Sequence, residues 1–217
     1  MQLVRSVDEF KDQTYFIYNI KQEQLAHILF PIGKFKKTQV REMARKFKLP
    51  NAERKESMGL CFVGKIRLDQ FLSQKVKTKL GKILDTSGKI LGQHRGVQFY
   101  TLGQREGLGI GGTGPYYVVA KDLKANTLTV SSDPKAKEFL VKEVQLSGTN
   151  WIAKNLKFPL KCKGRFRHQQ KLLDIQLQKQ GKDLYKAKFK LLQSAVSSGQ
   201  SLVLYRGKEC IGGGVIA

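Results

Sequence analysis

Apolar positions along the 217-residue chain change period twice. In the first sixty residues they recur at helical spacing. Ser6 with Glu9 makes a capping-box pattern ahead of Phe10, Tyr15, Phe16 and Ile17, which predicts a first helix. A second is predicted from Gln22 to Phe30, stopped by Pro31. A third opens on Thr38 as N-cap and places Val40, Met43, Ala44 and Phe47 on one face before Pro50 closes it. These helices are short and no strand is predicted among them, so their apolar faces need something larger to pack against.

Beyond Gly59 the pattern changes. One amphipathic helix is predicted from Arg67 to Lys75, with Leu68, Phe71 and Leu72 on one side. Strand and turn signals follow: Gly81–Leu84, the turn Asp85–Gly88, Lys89–Gly92, Tyr116–Ala120, and Thr127–Val130 behind a turn at Asn126. Asp133-Pro134 marks a boundary. From there strict alternation dominates, in segments 144–151, 161–167, 172–179, 184–191, 201–205 and 210–216. Six short strands at regular spacing read as a small β-barrel or sandwich. The expected class is α+β and multidomain, divided as 1–58, 59–135 and 136–217.

Charge adds a partner to this outline. The chain carries 40 Lys and Arg against 17 Asp and Glu, a formal net charge of +23. It is spread as +5 over 1–58, +7 over 59–130 and +11 over 131–217. A field of that size and spread favours a large polyanion, because neutralising many phosphates releases many counterions. A solubility role explains charge alone equally well. No window approaches the length of a membrane span, and the first nine residues lack a signal-peptide core, so a soluble cytoplasmic protein is expected.

The candidate chemistry is sparse. Cys61, Cys162 and Cys210 contain no C-x-x-C, and His27, His94 and His168 are scattered, so neither a disulfide framework nor a metal site is suggested. Cys61 lies in Ser57-Met-Gly-Leu-Cys-Phe-Val-Gly64, between glycines, with Arg54, Lys55 and Lys65 near in sequence to favour a thiolate. A buried small hydrophobe between Leu60 and Phe62 is the bland alternative. For Cys162 and Cys210, structural burial is the default. Gly107-Leu-Gly-Ile-Gly-Gly112 satisfies G-x-G-x-x-G, but a β-type run follows instead of a helix, which argues against a dinucleotide cradle. Arg165-Phe-Arg-His168 mixes an aromatic with cations, as single-stranded RNA recognition requires; a core Phe with solvated Arg neighbours is the competing reading.

Several blocks together resemble the tRNA-specific 2-thiouridylase family. They are Lys11-Asp-Gln-Thr-Tyr-Phe16, Leu29-Phe-Pro-Ile-Gly33, Ser57–Gly64, Tyr100–Gly112, Tyr116–Asp122, Gly199-Gln200 and Gly207-Lys-Glu-Cys-Ile-Gly-Gly-Gly214. The resemblance spans essentially the whole chain. It implies that 1–58 is the helical end of an ATP-pyrophosphatase domain, 59–135 a small mixed α/β central domain and 136–217 an antiparallel β-barrel. The family's Ser-Gly-Gly-x-Asp-Ser phosphate loop and first catalytic cysteine do not occur here, so the chain reads as a fragment or split product.

The resemblance also implies a reaction and its residues. The family moves sulfur to C2 of the wobble uridine (position 34) of tRNA, through an ATP-derived adenylate and a cysteine persulfide. By motif position that cysteine is Cys61. Lys11, Asp12 and Gln13 match a tRNA-contacting triplet, Arg165 with Phe166 a contact pair on the barrel, and Gln200 a further contact. ATP, with its Mg, would be held mostly by the lacking portion. The implied partners are tRNA and a sulfur-donor protein, a desulfurase or relay, with the chain itself monomeric. The chain alone is then not expected to turn over. The main alternative is a non-catalytic RNA-binding module, and a weaker one is a translation-factor-like barrel acting as a protein partner.

Overall fold

A computed structural model of the chain describes residues 1–55, 71, 77–111 and 114–217. The helix expected over 67–75 therefore lies, apart from residue 71, outside the described residues. The chain forms two compact units, one of residues 1–55 with 141–217 and one of 56–140. No helix among the described residues is long and apolar enough to cross a membrane.

In the first unit, β6 (Val141–Trp151), β7 (Leu160–Arg165), β8 (Leu173–Lys179), β9 (Tyr185–Gln193), β10 (Ser201–Arg206) and β11 (Glu209–Ile216) close into an antiparallel barrel. The order is β11-β10-β7-β8-β9-β6, and β6 pairs back to β11. The alternation in sequence is the cause. On β9, Tyr185, Ala187 and Phe189 are buried in the barrel core while Lys186, Lys188 and Lys190 face outward. On β10, Leu202 through Tyr205 are all buried, because the two faces have different covers. Leu202 and Leu204 enter the barrel core; Val203 and Tyr205 pack outward on Leu3, Tyr18, Leu25 and Ile152. Closure requires glycine on β11: Gly212 has φ +134°, and a Cβ there would run into the Asn150 carbonyl oxygen.

The first 55 residues depart from the helical expectation. Residues 6–17 are turns, not a helix, and Leu3–Val4 forms a short strand, β1, added to β11. The turns win because the Asp12 carboxylate collects local backbone N–H groups that a helix would otherwise use. The second helix shrinks to Gln22–Leu25 (α1), with Leu25 its one buried residue. The third, α2, runs Lys37–Lys46, so Thr38 sits in the first turn and Lys36 is the N-cap. The capping oxygen comes from elsewhere: the Lys37 N–H donates to the Asp8 carboxylate at 2.9 Å. Val40, Met43 and Ala44 are half-covered, whereas Phe47 stays exposed.

The second unit holds a four-stranded sheet, β3-β2-β5-β4, from β2 (Gly81–Leu84), β3 (Ile90–His94), β4 (Tyr117–Asp122) and β5 (Thr127–Ser131). The β2–β5 pair is parallel and the others antiparallel. Ile83, Val97, Tyr100, Leu108, Val118, Leu128 and Val130 form its core. The expected turn is present, with the Asp85 carboxylate accepting the Ser87 and Lys89 N–H groups. Gly107 and Gly109 adopt positive φ in the bend that leads toward β4, a strand where a dinucleotide cradle needs a helix.

Candidate nucleic-acid interface

The site grows from one buried carboxylate. Asp12 is wholly buried in the turn that follows β1. Its Oδ1 accepts the Ser6 and Thr14 N–H groups, each at 3.3 Å, and the Thr14 hydroxyl donates to Oδ2 at 2.9 Å. From the end of β7, Arg165 Nη2 donates to Oδ2 at 2.6 Å, with both side chains at most 2% exposed. Arg5 Nε stands 3.5 Å from the same oxygen. Arg165 Nε donates to the Tyr205 hydroxyl at 3.2 Å, which lies 3.2 Å from Thr14 Oγ1. Thr14 spends its proton on Asp12, so Tyr205 donates to Thr14 and the ring of hydrogen bonds closes. The guanidinium also lies over the Tyr15 and Tyr205 rings, at 5.9 and 5.4 Å from their centroids. Burial pushes the Tyr205 phenol up to about 12, so it remains a donor.

This network sews the 5–18 segment onto the barrel. The Tyr15 hydroxyl donates to the Phe166 carbonyl oxygen at 2.8 Å and lies 3.2 Å from that of Ser201. The Tyr18 hydroxyl meets Ser201 Oγ at 3.0 Å. Five residues singled out by sequence are thereby gathered near one seam: Lys11, Asp12, Gln13, Arg165 and Phe166. Their roles differ. Asp12 and Arg165 are interior, where sequence reasoning expected a solvated Arg. Phe166 points into the barrel against Phe189, so its ring is not a surface on which a base could stack. Gln200 immediately precedes β10, and its side-chain oxygen accepts the Ser197 N–H at 3.2 Å. Cys61 lies outside the described residues.

Lys11 and Gln13 reach the surface on either side of Asp12. The Lys11 ammonium sits 5.2 Å from the centroid of the exposed Phe10 ring, and the Gln13 amide donates back to the Lys11 carbonyl. Phe16, 59% exposed, lies 4.7 Å from the His168 ring. Burial, then the Arg165 charge, hold the His168 imidazole below its usual range. Next to it, Arg167 Nη2 donates to the Ala195 carbonyl oxygen at 2.8 Å. Sequence reasoning missed Phe10 and Phe16, assigning both to a buried helix face. The available signal was their place around a Lys-Asp-Gln turn, which exposes alternate neighbours. A cleft of about 390 Å³ runs behind this turn, walled by Ile17, Phe30, Ile32, Phe35 and Val40. Cations and open aromatic faces at one rim are the surface chemistry that RNA phosphates and unstacked bases require.

The two described cysteines favour the thiol over the thiolate. Cys162 and Cys210 are free, and burial pushes each thiol up to about 12, far from a thiolate at neutral pH.

Comparison with known proteins gives three consecutive family matches. A model described as a tRNA methyl transferase HUP domain matches residues 1–65, a tRNA methyl transferase PRC-barrel domain matches 69–132, and an aminomethyltransferase beta-barrel domain matches 141–216. Among similar curated proteins is the tRNA-specific 2-thiouridylase MnmA of Paraburkholderia xenovorans, 38% identical over 223 residues, covering 99% of this chain and 58% of the relative. The protein of the same name from Buchnera aphidicola (subsp. Acyrthosiphon pisum) is 40% identical over 220 residues, covering 99% and 60%. That of Bacillus licheniformis is 38% identical over 220 residues, covering 100% and 59%. The chain thus spans about three-fifths of the length of these relatives.

Proposed function

The chain belongs to the tRNA-specific 2-thiouridylase family, and on that premise we propose that it binds tRNA and carries the sulfur-bearing cysteine for thiolation of the wobble uridine. The observation that carries this reading is the match to these relatives along 99% or more of the chain. The seam chemistry supports it. Lys11 and Gln13 meet the RNA directly, and Gln200 marks the far end of the same contact. Asp12 and Arg165 position them by fixing the turn. Phe166 anchors the end of β7 from inside the barrel.

In the proposed reaction, the uridine C2 oxygen attacks ATP, forming an adenylate and releasing pyrophosphate. The terminal sulfur of a Cys61 persulfide then attacks C2, and AMP leaves with the oxygen. A second thiol breaks the sulfur–sulfur bond, leaving a disulfide that an external reductant reopens. Cys210 is buried and Cys162 half-buried, and burial raises both thiols to about 12, which disfavours either as that thiol. The Ser-Gly-Gly-x-Asp-Ser loop expected to hold ATP, with Mg, does not occur in the 217 residues. Thiolation therefore needs that loop from further polypeptide, and persulfide loading needs a donor protein. Residues 1–58, 59–135 and 136–217 act as the three modules of this cytoplasmic, monomeric assembly unit.

The test is incubation with a cysteine desulfurase and ³⁵S-cysteine, then non-reducing electrophoresis. Label is expected on the wild type and absent from Cys61→Ser. Tight tRNA binding without label would instead identify a non-catalytic RNA-binding module.

A further inference from the structure

Strand alternation places a second basic feature on the barrel, away from the Asp12 seam. The outward positions of β7 include Lys161 and Lys163, and those of β9 are Lys186, Lys188 and Lys190. Between them β8 presents Asp174, Gln176 and Gln178. Register aligns them in rows: Lys161 opposite Gln176 opposite Lys188, and Lys163 opposite Asp174. Lys163 pairs with Asp174 at 3.3 Å, and Lys186 with Glu143 at 2.6 Å. Lys161, Lys188 and Lys190 have no ion pair among the described residues.

The surface here is concave. A cleft of about 510 Å³ is lined by Lys142, Lys161, Lys188 and Lys190, together with Cys162 and Gln176, and Asp174 is the one acidic residue among the described lining. Lys142 is fixed at the rim, its ammonium donating to the Lys190 carbonyl oxygen at 2.6 Å. Lys161 and Lys188 lie two strands apart, roughly 10 Å between their backbones. Four lysines lining an open groove of that width match a phosphodiester chain, not a compact apolar ligand. A lysine coat kept for solubility alone would be spread over the surface, not gathered on three strands around a cleft.

We propose that this lysine cleft on the outer face of β7–β9 grips the phosphate backbone of the bound tRNA, as a sequence-independent contact separate from the Lys11–Gln13 turn. The inference rests on the tRNA-binding reading above. Its thermodynamic mark is salt dependence, since each phosphate contact adds about 0.9 to the slope of log K against log [salt] on duplex and about 0.7 on single strands.

The experiment titrates labelled bulk tRNA with the full chain across a NaCl series, comparing wild type with K161Q/K188Q/K190Q and with a control, K82Q/K89Q/K124Q, that removes the same charge from exposed lysines of the other unit. The cleft variant is expected to lower the slope by about 2–3 and to weaken binding at least tenfold at 0.15 M salt, with Cys61 persulfide loading and thermal melting unchanged. The control is expected to change the slope by less than half as much. Equal slope changes in both variants, or none in the cleft variant, would overturn the proposal while leaving tRNA binding in place. A wild type that does not bind tRNA at all would overturn the functional reading together with it.

Discussion

The barrel has two outer faces built from the same alternating strands, and they are used in opposite ways. Over β10 and β11 the outward residues are Val203, Tyr205 and Cys210, and the first 25 residues cover them. The charges caught beneath, Asp12 and Arg165, are satisfied by each other and by Thr14, Ser6 and Tyr205. Over β7–β9 the outward residues include lysines, glutamines and Asp174, and the face is open. One strand contributes to both: β7 shows Lys161 and Lys163 to solvent and, two residues on, buries Arg165 under the N-terminal turn. The same residue chemistry therefore serves anchoring where a cover excludes water and offers a loose positive field where none does.

That contrast breaks most sharply at Asp12. Replacing it with Ala leaves the Arg165 guanidinium buried without its carboxylate, and urea unfolding should report a loss of about 3–5 kcal/mol. A smaller effect is expected from His168, which shares the covered seam. Its folded pKa lies below the ordinary 6.5, so the folded state binds fewer protons than the unfolded one. Its contribution is complete above about 6.5 and is lost as pH falls through the folded value. Melting temperatures from pH 7.5 to 5.0 should therefore decline less steeply for His168→Gln than for wild type. The smallest effect belongs to the open face: Asp174→Asn removes the exposed pair with Lys163 and should shift stability by no more than about 0.5 kcal/mol. An Asp174 effect as large as that of Asp12 would erase the distinction between the faces.

The strands were legible because period-two alternation is a local signal. The segment 184–191 reads as a strand from Tyr185-Lys-Ala-Lys-Phe-Lys190 alone, and β9 covers it. Residues 6–17 were misread for the complementary reason. Ser6, Glu9 and the following aromatics satisfy a helix start locally, but the Asp12 carboxylate that gathers the turn's N–H groups is itself held by Arg165, and Thr14 by Tyr205, each more than 150 residues away. The N-cap of α2 shifted from Thr38 for a similar cause, since Asp8 supplies the capping oxygen across 29 residues. At the candidate site, the residue set Lys11, Asp12, Gln13, Arg165, Phe166 and Gln200 came from the family resemblance, and burial then sorted surface contacts from anchors.

Sequence by itself determined which residues alternate, its large positive charge and its kinship, because each is written in residue order and composition. Only the tertiary structure decided which cations reach water. Lys161, Lys163 and Arg165 are equivalent by spacing on one strand, yet only Arg165 is covered. The difference is the segment folded over it, whose carboxylate compensates the desolvation that an unpaired buried charge cannot bear.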